Sequence, residues 1–236
     1  AAILDALRVD DPDIRGLRDS LAGTQAAARA AIATFVGSLL GGKGDGATAL
    51  IAATAATETS RFADDFAALQ RIEAAYPGDP GVVVALLMNR IVLAEGQALF
   101  VPAGVPHAYL RGLGVEIMAA SDNVLRGGLT PKHVDVPELL GVLDVSPGPV
   151  ALLQPVLAAP GVDVFEPPVS DFSLVRVRRD DAADNETSVE LVGPTIALAT
   201  RGGPTIVGST ASVALAPGEA CLITPDEESV RIVGSG

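Results

Sequence analysis

The sequence is poor in the residues that close disulfides, bind metals or build aromatic cores. Its 236 residues include one cysteine, two histidines and no tryptophan, and aromatic residues make up 3%. A single cysteine excludes an intramolecular disulfide framework and fits a reducing cytoplasm, where we expect the protein to reside. Cys221 lies in an apolar, strand-like pattern, so we predict a buried and inert thiol rather than a nucleophile.

The sequence also lacks a long apolar run and an excess of basic residues. No run reaches the roughly 18–20 apolar residues that span a membrane, so we predict no membrane partner. The formal net charge is −13, and without a basic face we exclude nucleic acid as a partner. To bind an anionic small molecule, the protein would need a local group of cations that outweighs the repulsion from its negative net charge.

Helical patterns fill the first part of the chain. The pair Asp11-Pro12 is typical of a helix start, and an alanine-rich helix should end near Leu40. A further helix, over about residues 59–76, carries one apolar stripe, which we interpret as packing rather than as a cofactor contact. Residues 1–80 are therefore predicted to form a helical domain.

Beyond a turn rich in proline and glycine the pattern changes to short β-strands. We predict that residues 81–150 form part of one β domain and that residues 151–236 form a second. A short helix should follow Asp135, before a proline-rich connection over residues 144–170. The predicted strands are Val82–Leu87, Ile91–Leu93, Ala98–Val101, Val115–Met118, Phe172–Arg179, Ser188–Leu191, Thr195–Ala199, Pro204–Val207, Ser212–Leu215 and Ala220–Ile223.

An internal repeat links the two β domains. The segment IVLAEGQALFVPAGVPHAYLRG starts at Ile91 and has the same order of strands and turns as VALAPGEACLITPDEESVRIVG, which starts at Val213. We predict two related barrel or jelly-roll units, so the fold class is mainly β with an N-terminal helical segment. Chance similarity of two strand-turn-strand units is the alternative. At this offset His107 corresponds to Ser229, so the second unit has lost the side chain able to bind a transition metal.

The densest group of polar residues begins at His107. A stiff, proline-containing loop precedes this histidine, which suits either a metal ligand or a hydrogen-bonded structural residue. Glu116 and Asp122 could add oxygen ligands, although a catalytic zinc usually has three protein ligands. The sequence pattern alone leaves both interpretations open.

Cations lie in the same run. Arg126 offers a planar fork and Lys132 a point charge to the phosphate group of an anionic substrate. Each cation could instead form a salt bridge with a carboxylate at position 116, 122 or 135, and for Arg111 we favour the salt bridge. The pair Gly127-Gly128 permits a close backbone approach or a positive φ.

The run HAYLRGLGVEIMAASDNVLRGGLTPK, which starts at His107, resembles the signature of type I phosphomannose isomerases. It departs from that signature at Gly127, where the family usually has alanine. The resemblance implies a zinc enzyme, built of cupin-type jelly-roll barrels and a helical domain, that interconverts mannose 6-phosphate and fructose 6-phosphate. It makes His107 a zinc ligand and Arg126 a catalytic and substrate-binding residue. It also implies roles for Tyr109, Asp122 and Lys132 in catalysis and for Glu116 and Lys132 in substrate binding.

The family's other zinc ligands lie upstream, in a Gln-x-His motif and a glutamate. No glutamine of this sequence is followed two residues later by histidine. The resemblance therefore implies the later part of a longer enzyme, lacking the N-terminal part of the catalytic barrel. We expect that missing segment to complete the zinc site and to cover the strand edges and apolar face of the first barrel. This chain alone is then expected to be inactive. The alternative is a non-catalytic cupin-type module that binds a sugar or another protein.

Overall fold

The computed structural model describes residues 1–42, 45–57, 61–121, 124–179 and 186–235. Its described backbone contains helices and antiparallel sheets, so the expected combination of helical and β segments is confirmed, but the expected predominance of β structure is not, because the described helices span more residues than the described strands. The chain divides into two compact units, Ala1–Leu152 and Leu153–Gly236. No described helix is both long enough and apolar enough to cross a membrane.

The helices belong to the first unit. Side-chain caps begin three of them: the Asp11 carboxylate accepts from the amides of residues 13 and 14, Thr24 caps the alanine-rich helix, and Asp135 caps the last. The helix starts predicted at Asp11 and Asp135 are confirmed. The helices are α1 (Ala2–Leu7), α2 (Pro12–Leu21), α3 (Gln25–Leu40), α4 (Asp45–Ala56), α5 (Ala63–Ala75), α6 (Gly81–Leu87) and α7 (Val136–Val142).

One apolar core holds α1 to α6 together. Its best-buried members, Leu4, Leu50 and Val83, come from three different helices and are no more than 1% exposed. The stripe predicted on α5 faces this core through Phe66, Leu69 and Ile72. The apolar stripe is therefore packing, as the sequence indicates.

The predicted strand Val82–Leu87 is wrong, because these residues form α6. Its valine run favours a strand by local propensity, but Val82, Val83 and Leu86 are buried in the helical core. Helical geometry places these three on one face, and burying that face outweighs the modest propensity of valine. The helical core therefore extends past residue 80.

Between α6 and α7, the described residues contain one strand, β1 (Ala98–Leu99). It forms part of the predicted strand Ala98–Val101. The predicted strands Ile91–Leu93 and Val115–Met118 are wrong, since both segments are irregular. A strand gains its hydrogen bonds from a neighbour, and within the described part of the chain these two segments have none to pair with.

The second unit is an antiparallel β structure, and the two-residue strand β2 (Leu152–Leu153) spans the end of the first unit and the start of the second. One sheet has the order β3-β4-β5, a second the order β6-β11-β8-β9, and a third pairs β7 with β10. All six strands predicted beyond residue 170 are confirmed, some with shorter bounds. The strands are β3 (Val156–Ala159), β4 (Val162–Phe165), β5 (Leu174–Val177), β6 (Thr187–Glu190), β7 (Thr195–Leu198), β8 (Thr205–Val207), β9 (Ser212–Ala214), β10 (Ala220–Ile223) and β11 (Ser229–Val233).

The second and third of these sheets share one apolar core. Val189, Ile206 and Val230 enter it from the four-stranded sheet, and Ile223 enters it from β10. Cys221 is partly buried against this core, and desolvation raises the pKa of its thiol. A protonated thiol is a weak nucleophile, which supports the inert role predicted for it.

The strands β2, β3 and β4 were missed by the sequence patterns, which indicated a proline-rich connection over residues 144–170. In β4 the apolar pattern is interrupted by Asp163, which is nonetheless only 5% exposed. Its carboxylate pairs with Arg176 at 2.5 Å and with Arg178 at 3.2 Å, and these arginines lie on and just after the neighbouring strand β5. Only the paired strands make this burial possible.

Candidate functional site

Three candidate residues of the first unit lie together on its surface. The imidazole Nε2 of His107 is 3.9 Å from Oε1 of Glu116, and about half of each side chain is exposed. The ring of Tyr109 stands edge-on to the His107 ring, with 6.1 Å between the ring centroids. Nδ1 of His107 lies 3.2 Å from the carbonyl oxygen of Val105, inside the stiff loop expected to orient it. The structure thus brings His107, Tyr109 and Glu116 into one cluster.

Glu116 also acts on the phenol of Tyr109. Desolvation and, second, a hydrogen bond to the Glu116 carboxylate raise the pKa of Tyr109 to about 12. Although desolvation contributes, Tyr109 is 77% exposed. At neutral pH the phenol is protonated and donates a hydrogen bond, and it does not act as a base in that state.

The two cations that we expect to bind the substrate lie on the loop that follows. Arg126 and Lys132 are exposed, and neither forms an ion pair with another described residue. The salt bridge favoured for Arg111 does not form with Glu116 or with Asp135, because Glu116 faces His107 and Asp135 caps α7. Asp122, expected as a catalytic residue, lies outside the described residues.

Asp79, which the sequence patterns did not single out, holds the backbone of this loop against the helical core. Asp79, in the turn before α6, accepts a hydrogen bond at Oδ2 from the Leu129 amide at 2.9 Å. Gly128 has a φ of +109°, as its glycine permits, and Leu129 has a φ of +54°. A turn motif such as Pro-Gly-Asp-Pro-Gly marks a carboxylate that can accept from backbone amides, but nothing in it identifies a partner fifty positions away.

The cluster fits zinc in chemistry but not in ligand number. An imidazole nitrogen and a carboxylate oxygen are ordinary zinc ligands, and His107 and Glu116 offer one of each. No group of three or more metal-binding side chains occurs within the described ranges. A catalytic zinc here would need at least one more donor, from Asp122 or from another segment.

Comparisons with known proteins agree with the resemblance found in the signature run. No protein-family model matches the chain. The chain is 35% identical over 201 residues to mannose-6-phosphate isomerase of Escherichia coli K12, which covers 84% of this chain and 50% of that protein. It is 38% identical over 143 residues to the Rattus norvegicus mannose-6-phosphate isomerase, covering 59% of this chain and 34% of that one.

A solved structure gives the same result across the whole chain. Mannose 6-phosphate isomerase from Salmonella typhimurium, bound to fructose 6-phosphate and zinc, matches with a TM-score of 0.81 and 30% identity. The match covers 100% of this chain and 58% of that one. The chain thus spans about half the length of the curated relatives it matches. Over that part, the resemblance stated from the sequence is confirmed.

Proposed function

We propose, from its resemblance to phosphomannose isomerases, that this chain is part of a zinc-dependent isomerase that interconverts mannose 6-phosphate and fructose 6-phosphate. One observation carries the proposal: the whole chain matches the structure of a relative that is bound to fructose 6-phosphate and zinc. The exposed cluster of His107, Tyr109 and Glu116, followed by the cations Arg126 and Lys132, supports it. These residue types suit a metal-bound sugar phosphate.

Each residue of the cluster has a chemical role in this proposal. Zinc, when bound, would polarise the sugar oxygens as a Lewis acid, and His107 would be one of its ligands. The isomerisation moves a proton between C1 and C2, so it needs a base and a stabiliser of the anionic enediolate oxygen. The candidates for the base are Glu116, Asp122 and a residue of the missing upstream segment, since the Tyr109 phenol holds its proton at neutral pH. With substrate bound, Tyr109 would instead turn its single O–H donor from Glu116 to the substrate.

The cations would hold the negative charges of the substrate. Arg126 would bind either the enediolate oxygen or the phosphate with its planar guanidinium group. Lys132 would supply a second positive charge to the phosphate. Because the net charge of the chain is −13, an anionic substrate is attracted only where local cations such as these outweigh the global field.

A further segment of the same protein is part of the proposal. Leu113 is 99% exposed, and Tyr109, Leu110, Val115 and Met118 are at least half exposed along the same stretch. Several exposed apolar side chains along one segment favour a covering partner. We propose that a preceding segment adds strands here, completes a cupin-type barrel and supplies the remaining zinc ligands. The proposed location is the cytoplasm.

A second candidate function is a non-catalytic sugar-binding or interaction module. The observation that favours it is the incomplete ligand set, since no described group of side chains could hold a metal with three donors. This candidate predicts neither zinc nor turnover after the upstream segment is restored. The present chain alone is expected to be inactive under either proposal.

The test compares two arginine substitutions in the chain extended upstream in its reading frame. Arg126→Ala should reduce kcat/KM for mannose 6-phosphate by about 100-fold or more, because it removes a charge aimed at the substrate. Arg71→Ala is the matched control, since Arg71 is also exposed but lies on α5. Removing zinc with a chelator should abolish turnover, and restoring zinc should return it.

Two results would contradict the proposal. Undiminished turnover in the Arg126→Ala enzyme would remove this arginine from its role. A zinc-supplied, extended protein that binds mannose 6-phosphate without converting it would favour the non-catalytic module. Circular dichroism of each variant shows whether a loss of turnover reflects the site or the fold, and exposed substitutions of this kind change stability by only about 0.5 kcal/mol.

A further inference from the structure

The carboxylate of Asp79 bridges two backbone segments that are distant in sequence. Its Oδ1 accepts a hydrogen bond from the Gly81 amide at 2.7 Å, at the start of α6. Its Oδ2 accepts a hydrogen bond from the Leu129 amide at 2.9 Å, in the loop that carries Arg126 and Lys132. Each oxygen thus has a different amide, and one ionised side chain joins the helical core to the candidate site.

The two segments also touch through a pair of glycines. A Cβ added to Gly128 would lie 2.9 Å from the Gly81 Cα and 2.9 Å from the Asp79 Oδ1. A Cβ added to Gly81 would lie 3.0 Å from the Leu129 amide nitrogen. The backbones approach this closely because neither glycine has a side chain. The contact fixes where the loop leaves the helical core.

Leu129 completes the attachment. Its φ of +54° is a left-handed conformation that leucine rarely adopts, so surrounding contacts must hold it there. Its side chain packs against the helical core, and its amide is the group that Asp79 binds. We name these four residues, Asp79, Gly81, Gly128 and Leu129, the loop clasp.

We propose that Asp79 is a positioning residue for the substrate-binding cations. The proposal rests on the function proposed above only in assigning Arg126 and Lys132 to the substrate. Arg126 lies three positions before Leu129 and Lys132 lies three positions after it, so the clasp fixes the centre of the loop that carries both cations. Misplacement by about 1 Å can strongly reduce catalysis, so a group that fixes this backbone acts on the site without touching the substrate.

Amide hydrogen exchange tests the attachment in the present 236-residue chain. Asp79→Asn keeps the size of the side chain but leaves one acceptor oxygen for two amides, and it turns an N–H donor toward the other. Exchange over residues 127–132 should become about tenfold faster or more, as expected when a hydrogen bond to a charged group is lost. Asp11→Asn is the matched control, because Asp11 also accepts from two backbone amides, both local to α2. It should leave exchange over residues 127–132 unchanged.

Kinetics of the extended, active enzyme test the consequence. Asp79→Asn should raise KM for mannose 6-phosphate by a larger factor than it lowers kcat, because it loosens the groups that bind the phosphate. Asp11→Asn should change neither. A general loss of stability would instead reduce the active fraction, which lowers kcat and leaves KM unaltered.

The outcomes separate this inference from the proposed function. Unchanged exchange over residues 127–132 in the Asp79→Asn chain would overturn the clasp. Faster exchange with an unaltered KM would overturn the positioning role. If the unsubstituted enzyme has no turnover, the proposed function fails, and the exchange result alone decides whether Asp79 holds the loop.

Discussion

Gly127 and Gly128, in the loop that carries Arg126 and Lys132, should respond in opposite ways to substitution by alanine. Gly127 has a φ outside the positive range, and an added Cβ would meet the Leu139 side chain at an ordinary 3.7 Å. Gly128 has a φ of +109°, and an added Cβ would approach the backbone of Gly81 to 2.9 Å. We therefore expect Gly127→Ala to be tolerated and Gly128→Ala to disrupt the clasp.

The magnitudes follow from backbone conformation and from packing. Gly127→Ala should stabilise the first unit by about 0.4–1 kcal/mol, because alanine restricts the unfolded chain without straining the folded one. Alanine is also the residue that the phosphomannose isomerase signature usually has at this position. Gly128→Ala should destabilise by about 1–3 kcal/mol through backbone strain alone, and the close contact with Gly81 adds to that cost.

Thermal unfolding followed by far-ultraviolet circular dichroism measures both effects. All described helices lie in the first unit, so the helical signal reports on the unit that contains both glycines. One kcal/mol shifts Tm by about 2–4 °C in a domain of this size, so the two variants should differ by several degrees. The reasoning is refuted if Gly128→Ala melts at or above the Tm of the unsubstituted chain, or if Gly127→Ala loses as much stability as its neighbour.

Two titrations test charges in the two units separately. Glu116→Gln should bring the pKa of Tyr109 down from about 12 toward its usual value, which the absorbance of tyrosinate measures; an unchanged titration curve would mean that Glu116 does not perturb the phenol. In the second unit, the hydrogen bond from Arg176 and the nearby arginine charges hold the pKa of Asp163 below its ordinary 3.8. The contribution of the Asp163 carboxylate to stability is therefore complete above pH 3.8, and it is lost as the pH falls through the lower pKa of the folded state. Asp163→Asn should therefore lower the stability toward urea at neutral pH, and the difference from the unsubstituted chain should narrow as the pH falls below 3.8. The exposed control Asp171→Asn should change the stability little. If the loss of unfolding free energy in Asp163→Asn stayed constant with pH, the substitution would act through packing.

Sequence patterns predicted most of what depends on neighbouring residues. Asp11, Thr24 and Asp135 are recognisable as caps because a cap accepts from amides two or three positions away. Strands of the second unit are recognisable because their turns and alternation are local signals. Asp163 shows the limit, since a buried aspartate in a strand is acceptable only with arginines from a neighbouring strand.

The candidate site shows the same limit. His107 and Arg126 are identified by a local run of residues, but their surroundings depend on distant parts of the chain. Asp79 acts on Leu129 across fifty positions, so no spacing rule could find it. The valines of α6 mislead for a related reason, because burial in the helical core decides their conformation.

The two copies of the proposed internal repeat give the strongest argument for the covering segment proposed above. In the second copy, residues 213–234 include β10, which pairs with β7, and β11, which pairs with β6 and β8. In the first copy, residues 91–112 contain only the two-residue strand β1 among the described residues, and Val92 and Tyr109 are at least three-quarters exposed. Similar patterns thus form strands where partners exist and remain irregular where they do not. Because local propensity is similar in both copies, we attribute the difference to the partners, in line with the proposed covering segment beside the first copy.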